Sequence, residues 1–240
     1  MLFNANHIKT AYRNEWKYCC TETDLEIIQN RLDAVLNRDS HSNHTGTYEI
    51  HSLYFDDYKD TCVSENAAGI SERVKYRIRY YGNSCGFMKF ERKAKRDNRC
   101  RKQSCVISME EYTKLVNNDV EELLWETQNP LLKQFCLQCM TRKFVPKAII
   151  DYERTAYVEE ITNIRITLDQ NISVSDDLPR FFEGDYIRYP VQKKKQHVLE
   201  VKFDYILPNY IKHMITNQNL VQSSFSKYGL GRQKLQSMGR

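Results

Sequence analysis

From Arg73 to Tyr80 basic and apolar side chains alternate without a break. Arg73, Lys75, Arg77 and Arg79 take the odd positions; Val74, Tyr76, Ile78 and Tyr80 take the even ones. Successive side chains of a strand point to opposite faces, so this spacing predicts a strand with one wholly cationic face. Met88 to Lys95 repeats the device with Lys89, Glu91, Lys93 and Lys95. Shorter versions occur at Arg13-Glu15-Lys17, Arg165-Thr167-Asp169 and Glu200-Lys202-Asp204, with Ile150-Tyr152-Arg154 a sixth and weaker case. A solvated charged face is ordinary for one antiparallel strand, but six such strands with so much Lys and Arg are not a merely wet surface. Four cations in a row repel one another unless an anion lies among them. Residues of this kind can grip a polyanion, and the carboxylates interspersed with them are hard oxygen donors of the sort that hold a divalent metal.

The strands that carry these residues have to bring their charged faces together. A closed barrel does so, with charged faces inward and apolar faces covered by helices. The fold class expected is therefore α+β, an antiparallel β-strand tunnel flanked by helices, formed by residues 1–240 as a single domain. The short connection from Tyr81 to Gly86 predicts a hairpin, hence at least one antiparallel pair. Helices are predicted over Thr23 to Asn37 and over Ser108 to Asn117, which opens on a capping-box pattern. A third stretch, Val120 to Thr141, is interrupted at Pro130, and a short helix begins at Pro208.

The 240 residues carry 36 Lys and Arg against 31 Asp and Glu, a formal net charge of +5. Residues 73–102 alone hold a net of +10, leaving the rest mildly acidic at −5. The barrel reading places this charge in the lumen rather than on the surface. A thin phosphate chain fits such an enclosure better than a duplex, so nucleic acid is not the expected partner. The longest apolar runs fall well short of the ~18 residues of a membrane span, and the start lacks the blocks of a secretory signal. The eight cysteines have no disulfide-like spacing, and Cys136 and Cys139 are expected to pack inside a helix rather than bind metal. These features predict a cytoplasmic protein. Its six histidines are scattered, and nothing has the form of a P-loop.

Eight blocks of this sequence resemble the polyphosphate polymerase domain of the VTC (vacuolar transporter chaperone) type, within the triphosphate tunnel metalloenzymes. They are RNEWKY at Arg13–Tyr18, SLYFD at Ser52–Asp56, RVKYRIRY at Arg73–Tyr80 and FERKAK at Phe90–Lys95. DYER at Asp151–Arg154, RITLD at Arg165–Asp169, LEVKF at Leu199–Phe203 and SFSKY at Ser224–Tyr228 complete the series, in family order. The resemblance implies a β-strand tunnel and an enzyme that moves the γ-phosphate of ATP onto a growing polyphosphate chain, with Mn²⁺ or Mg²⁺ as cofactor. It implies Lys17, Arg77, Arg79, Lys93, Arg154 and Arg165 as the catalytic phosphate ligands. Lys75, Lys95, Lys102, Ser226 and Lys227 follow as further substrate contacts. Glu200 resembles the metal-holding glutamate, with Glu15, Glu91 and Asp169 as further metal candidates. Glu15 and Glu91 are equally suited to balancing nearby cations, and Asp169 to orienting Arg165. ATP and polyphosphate are the implied partners, and a membrane-protein partner that takes the product is compatible with them.

Two departures bear on the reading. Ser224 stands where well-known relatives carry Lys, which removes one cation from the grip. Related hydrolases and cyclases open their first strand with Glu-x-Glu-x-Lys, whereas this chain reads Arg13-Asn-Glu-Trp-Lys17. One carboxylate fewer favours chain binding over a two-metal hydrolytic site. The block Ser52–Asp56 is expected mainly to pack, and the Lys193–Lys195 run to be a solvated loop.

Overall fold

A computed structural model describes residues 12–39, 46–82, 84–97, 99–216 and 220–239. In chain order the elements are β1 (Arg13–Thr21), α1 (Glu22–Asp33), β2 (Asn37–Arg38), β3 (Tyr48–Asp56), α2 (Thr61–Ala67) and β4 (Arg73–Tyr81). There follow β5 (Ser84–Arg96), β6 (Arg99–Ile107), α3 (Met109–Asn117), α4 (Val120–Glu126) and α5 (Pro130–Arg142). The rest comprises β7 (Val145–Glu159), β8 (Ile164–Ser175), β9 (Tyr189–Pro190), β10 (Gln196–Phe203), α6 (Asn209–Ile215), β11 (Val221–Gln222) and α7 (Lys227–Ser237).

Eight strands run antiparallel in the order β7-β3-β4-β5-β6-β1-β10-β8, and pairing of β8 with β7 closes the ring. The expected barrel is thus present, and the alternation explains why it closes. Even positions of β4 and β5, such as Tyr76, Ile78, Met88 and Phe90, face outward and are buried under α3, α4 and α5, where Phe135 meets both Tyr76 and Phe90. On the opposite wall Ile166, Leu168, Leu199 and Val201 pack against Leu25, Ile28 and Leu32 of α1 and against Ile211 of α6. Each wall has an apolar outer face that water would penalise; helices cover both, which leaves the charged faces inside. Cys136 and Cys139 lie buried in α5, as expected of packing residues.

Local chemistry sets the helix ends. Thr21 and Asp24 form a capping box at α1, and Ser108 and Glu111 form the predicted one at α3. Pro130 splits the third predicted helix into α4 and α5, standing first in α5, where its missing N–H costs nothing. The α1 prediction ran too far: the helix stops at Asp33, because the following turn leads into β2, which pairs with β7. Two helices went unforeseen. One is α2; the other is α7, whose two glycines blur any apolar period. A Cβ on Gly231 would stand 2.5 Å from Ile150 Cδ1 and 3.1 Å from Val174 Cγ2. That closeness lets α7 fill the barrel interior at one end. Among the described residues no helix is long and apolar enough to cross a membrane.

Candidate functional site

The remaining interior is a cavity of about 450 Å³, within the ordinary range of small-ligand sites. Ten cations line it: Lys17, Arg73, Lys75, Arg77, Arg79, Lys93, Lys95, Arg154, Lys202 and Lys227. Among the described residues only two carboxylates, Glu15 and Glu200, line it with them. Strand period and register bring them together. Lys17 faces Glu200 and Glu15 faces Lys202 across β1 and β10, while Lys75 faces Lys93 across β4 and β5. Directly opposed residues share a face, so each pair points into the lumen.

Both lumen carboxylates are crowded by cations. Glu15 accepts from Lys93 Nζ at 2.7 and 2.8 Å, with Lys202 at 3.7 Å and Lys17 at 3.9 Å. Glu200 accepts from Lys227 at 2.9 Å, and Lys202, Lys17 and Arg154 follow at 3.3, 3.5 and 3.9 Å. Burial alone would raise both carboxyls. The surrounding cations (Lys93 first for Glu15, Lys227 first for Glu200) overcome it and hold both well below the usual carboxylate range. The lysines pay unequally. Burial, aided by the repulsion of Lys17 and Lys93, pushes Lys75 down to about 8. Burial likewise pushes Lys202 down to about 8 despite Glu200 and Glu15. Among the described residues neither Lys75 nor Lys95 has a carboxylate within ion-pair distance. Lys75 instead donates to Ser226 Oγ at 2.7 Å, and that same oxygen caps α7 by accepting from Gly229 N at 3.1 Å.

A second ring of contacts aims the arginines. Glu91 accepts from Arg77 at 2.6 and 2.8 Å and from Lys102 at 2.7 Å. Asp169 holds Arg154 in a two-pronged contact at 2.6 and 2.8 Å and also meets Lys227. Arg79 donates to Ser52 Oγ and to the Tyr152 hydroxyl at 3.0 and 2.8 Å. Arg77 donates to the Tyr54 hydroxyl at 2.7 Å. Burial would raise that phenol, but Arg77 and Arg79 bring it down to about 8.

Of the residues singled out in the sequence, Lys17, Lys75, Arg77, Arg79, Lys93, Lys95, Arg154, Ser226, Lys227, Glu15 and Glu200 share this cavity. Four do not line it. Glu91 and Asp169 are buried behind the arginines, with their oxygens taken by Arg77, Lys102, Arg154 and Lys227. Asp169 thus orients Arg154 and not Arg165. Lys102 is half exposed on Glu91, and the Arg165 guanidinium turns to Asp39 and the Tyr48 hydroxyl. Sequence reasoning places Arg73, Lys202 and Tyr152 on the alternating strands but assigns none of them, nor Tyr54, a role in the site. Arg73 and Lys202 were legible, since they stand two residues from Lys75 and Glu200 on the same faces. The Ser52–Asp56 block predicts packing for Tyr54, but its hydroxyl meets Arg77 because β3 pairs with β4 in that register.

The donor set bears on a metal. Among the described residues no three His, Cys, Asp or Glu side chains converge as a metal cage. Glu15 and Glu200 lie diagonally on neighbouring strands, ionised and facing one lumen. That suits a hard cation held by one or two carboxylates together with phosphate oxygens, the usual habit of Mg²⁺.

Residues 12–236 match the family model described as the VTC domain. No curated protein matches the chain. Among solved structures, PH1819 protein from Pyrococcus horikoshii aligns at 14% identity and a TM-score of 0.48, covering 93% of this chain and 99% of that one. A candidate adenylate cyclase from Bacillus halodurans aligns at 11% identity and a TM-score of 0.46, covering 84% and 83%.

Proposed function

Since the chain belongs to the VTC domain family, we propose that it is a polyphosphate polymerase that uses ATP as phosphoryl donor. The observation that carries this reading is the lumen itself, ten cations against two carboxylates in a cavity walled by a closed sheet. Such an excess of positive charge at the centre of a protein costs folding energy unless a polyanion offsets it. A linear phosphate chain is slender enough to enter and carries charge at every residue.

The chain's own groups do what phosphoryl transfer requires, which is alignment and neutralisation of charge. Arg77, Arg79 and Arg154 are held by Glu91, Tyr152 and Asp169, so their forks are set before a phosphate arrives. Lys75 and Lys95 supply charge with no carboxylate within ion-pair distance among the described residues. The terminal oxygen of the chain attacks the γ-phosphorus of ATP, the bond from that phosphorus to the bridging oxygen breaks, and ADP leaves. No phosphoenzyme is required. Glu15 and Glu200 would hold a divalent cation, whose chemistry would be to offset the negative charge of phosphate oxygens.

The test is incubation of the purified protein with ATP and Mn²⁺ or Mg²⁺, followed by separation of long chains, free phosphate and ADP. Long chains that disappear in Glu200→Ala and Arg77→Ala support the polymerase. Free phosphate without chains would replace it with a hydrolase, and tight chain binding without turnover with a sensor.

A further inference from the structure

The β5–β6 hairpin carries charge on both of its faces, so part of the 73–102 charge lies outside the lumen. Its outward positions run Met88, Phe90, Arg92, Ala94 and Arg96 on β5, paired with Ile107, Cys105, Gln103, Arg101 and Arg99 on β6. The half nearest α3–α5 is apolar and buried; the half nearest the tip is arginine. Of the twelve basic residues between 73 and 102, these four arginines face away from the lumen.

A charged outer face could serve only to keep the hairpin in water, but three features point to a ligand. All four cations are arginine, the side chain whose planar fork fits phosphate, with no lysine among them. The Arg92 guanidinium donates to Gln103 Oε1 at 2.8 Å and also meets the Tyr76 hydroxyl, yet Arg92 Nε and Arg101 Nε are shielded from solvent and make no hydrogen bond among the described residues. Among the described residues the one ion pair on this face, Arg96 with Glu72, joins side chains 65% and 71% exposed and therefore contributes little. The position of the patch then identifies the ligand. At the same tip the inward residues Lys95 and Cys100 line the cavity, and Arg96 and Arg99 are their immediate neighbours. Cationic positions thus continue from the lumen over the hairpin tip to the outer surface.

We infer that the outer arginines Arg92, Arg96, Arg99 and Arg101 form a second phosphate-chain site, which holds the part of a polyphosphate too long for the lumen. This rests on the proposed function, and the two can fail separately. The assay is direct binding of tripolyphosphate and of long-chain polyphosphate to the whole protein. Wild type should bind the long chain more tightly than tripolyphosphate. Arg92→Gln/Arg101→Gln should weaken long-chain binding about tenfold, flatten its salt dependence and leave tripolyphosphate affinity unchanged. The unchanged tripolyphosphate affinity also shows that the barrel is intact. Arg96→Gln/Arg99→Gln, both exposed, reads the same surface without touching a shielded atom. Equal losses for both ligands, or none for the long chain, would overturn the outer site. So would equal competition by a single-stranded oligonucleotide, which would mark a generic polyanion surface. Failure of wild type to bind tripolyphosphate would instead sink the lumen reading.

Discussion

Lys75 offers the sharpest test of the charged lumen, because the cavity that needs its charge also makes that charge costly. Buried, and facing Lys17 and Lys93, its ammonium is pushed from an ordinary 10.5 down to about 8. A bound phosphate chain supplies the missing negative charge and should return the group toward its ordinary value. Well below pH 8 the lysine is protonated with or without ligand, and through this group affinity does not vary with pH. Between pH 8 and the restored value the complex holds one proton more than the free protein, so affinity falls as pH rises. A group going from 8 to about 10.5 on binding costs about tenfold in affinity between pH 7 and pH 9. Lys202, also near 8, titrates in the same direction. Tyr54, near 8 as well, adds negative charge to the lumen over the same interval. The assay is titration calorimetry with tripolyphosphate from pH 7 to pH 9, in two buffers of different ionisation enthalpy. Proton uptake near pH 8.5 is expected, together with weakening of at least the stated size. Lys75→Met should bind more weakly at pH 7 and show a shallower pH profile. Affinity that stays level or rises over this interval, with no proton uptake, would refute the reasoning.

Other residues give further expectations. Glu200→Gln leaves Lys227, Lys17 and Lys202 without their common carboxylate, at a cost of about 3–5 kcal/mol for a buried pair broken on one side. Thermal unfolding should show this loss, and tripolyphosphate should raise the variant's melting temperature more than it raises the wild type's. Asp169→Asn removes the two-pronged partner of Arg154; turnover should fall roughly ten- to a hundredfold, while circular dichroism reports an intact barrel. Gly231→Val drives a side chain into Ile150 and Val174 and should destabilise by about 1–3 kcal/mol, read as a lowered denaturant midpoint.

What is legible in the sequence depends on which physical rule sets each feature. Alternation along a strand is local, since each side chain's face is set by its own backbone. The inward positions of β1, β4, β5, β8 and β10 were therefore readable from spacing alone. The same rule, applied to the even positions of β5 and the odd ones of β6, marks Arg92, Arg96, Arg99 and Arg101 as outward. The expectation that much of the charge lies in the lumen follows only one face of that hairpin. α7 was not readable, because Gly229 and Gly231 belong to its fit against Ser226, Ile150 and Val174 and contradict a helical apolar pattern.

The sequence by itself determined that cationic faces exist, on which strands they lie, and that a closed sheet would gather them. Register and closure were decided only by the tertiary structure. Glu91 neutralises Arg77 because β5 pairs with β4 so that the two stand opposite. Asp169 aims Arg154 because β8 closes on β7 with those residues abreast. Arg165 turns to Asp39 and Tyr48 for a like reason, since those groups come from strands and turns far away in the chain. A carboxylate in the sequence carries no label for metal ligand or arginine clamp. Its role is set by which cations lie within a few ångströms, and those distances arise only when strands pair in one register around one lumen, joining residues 14 positions apart for Glu91 and Arg77 and 126 apart for Asp39 and Arg165.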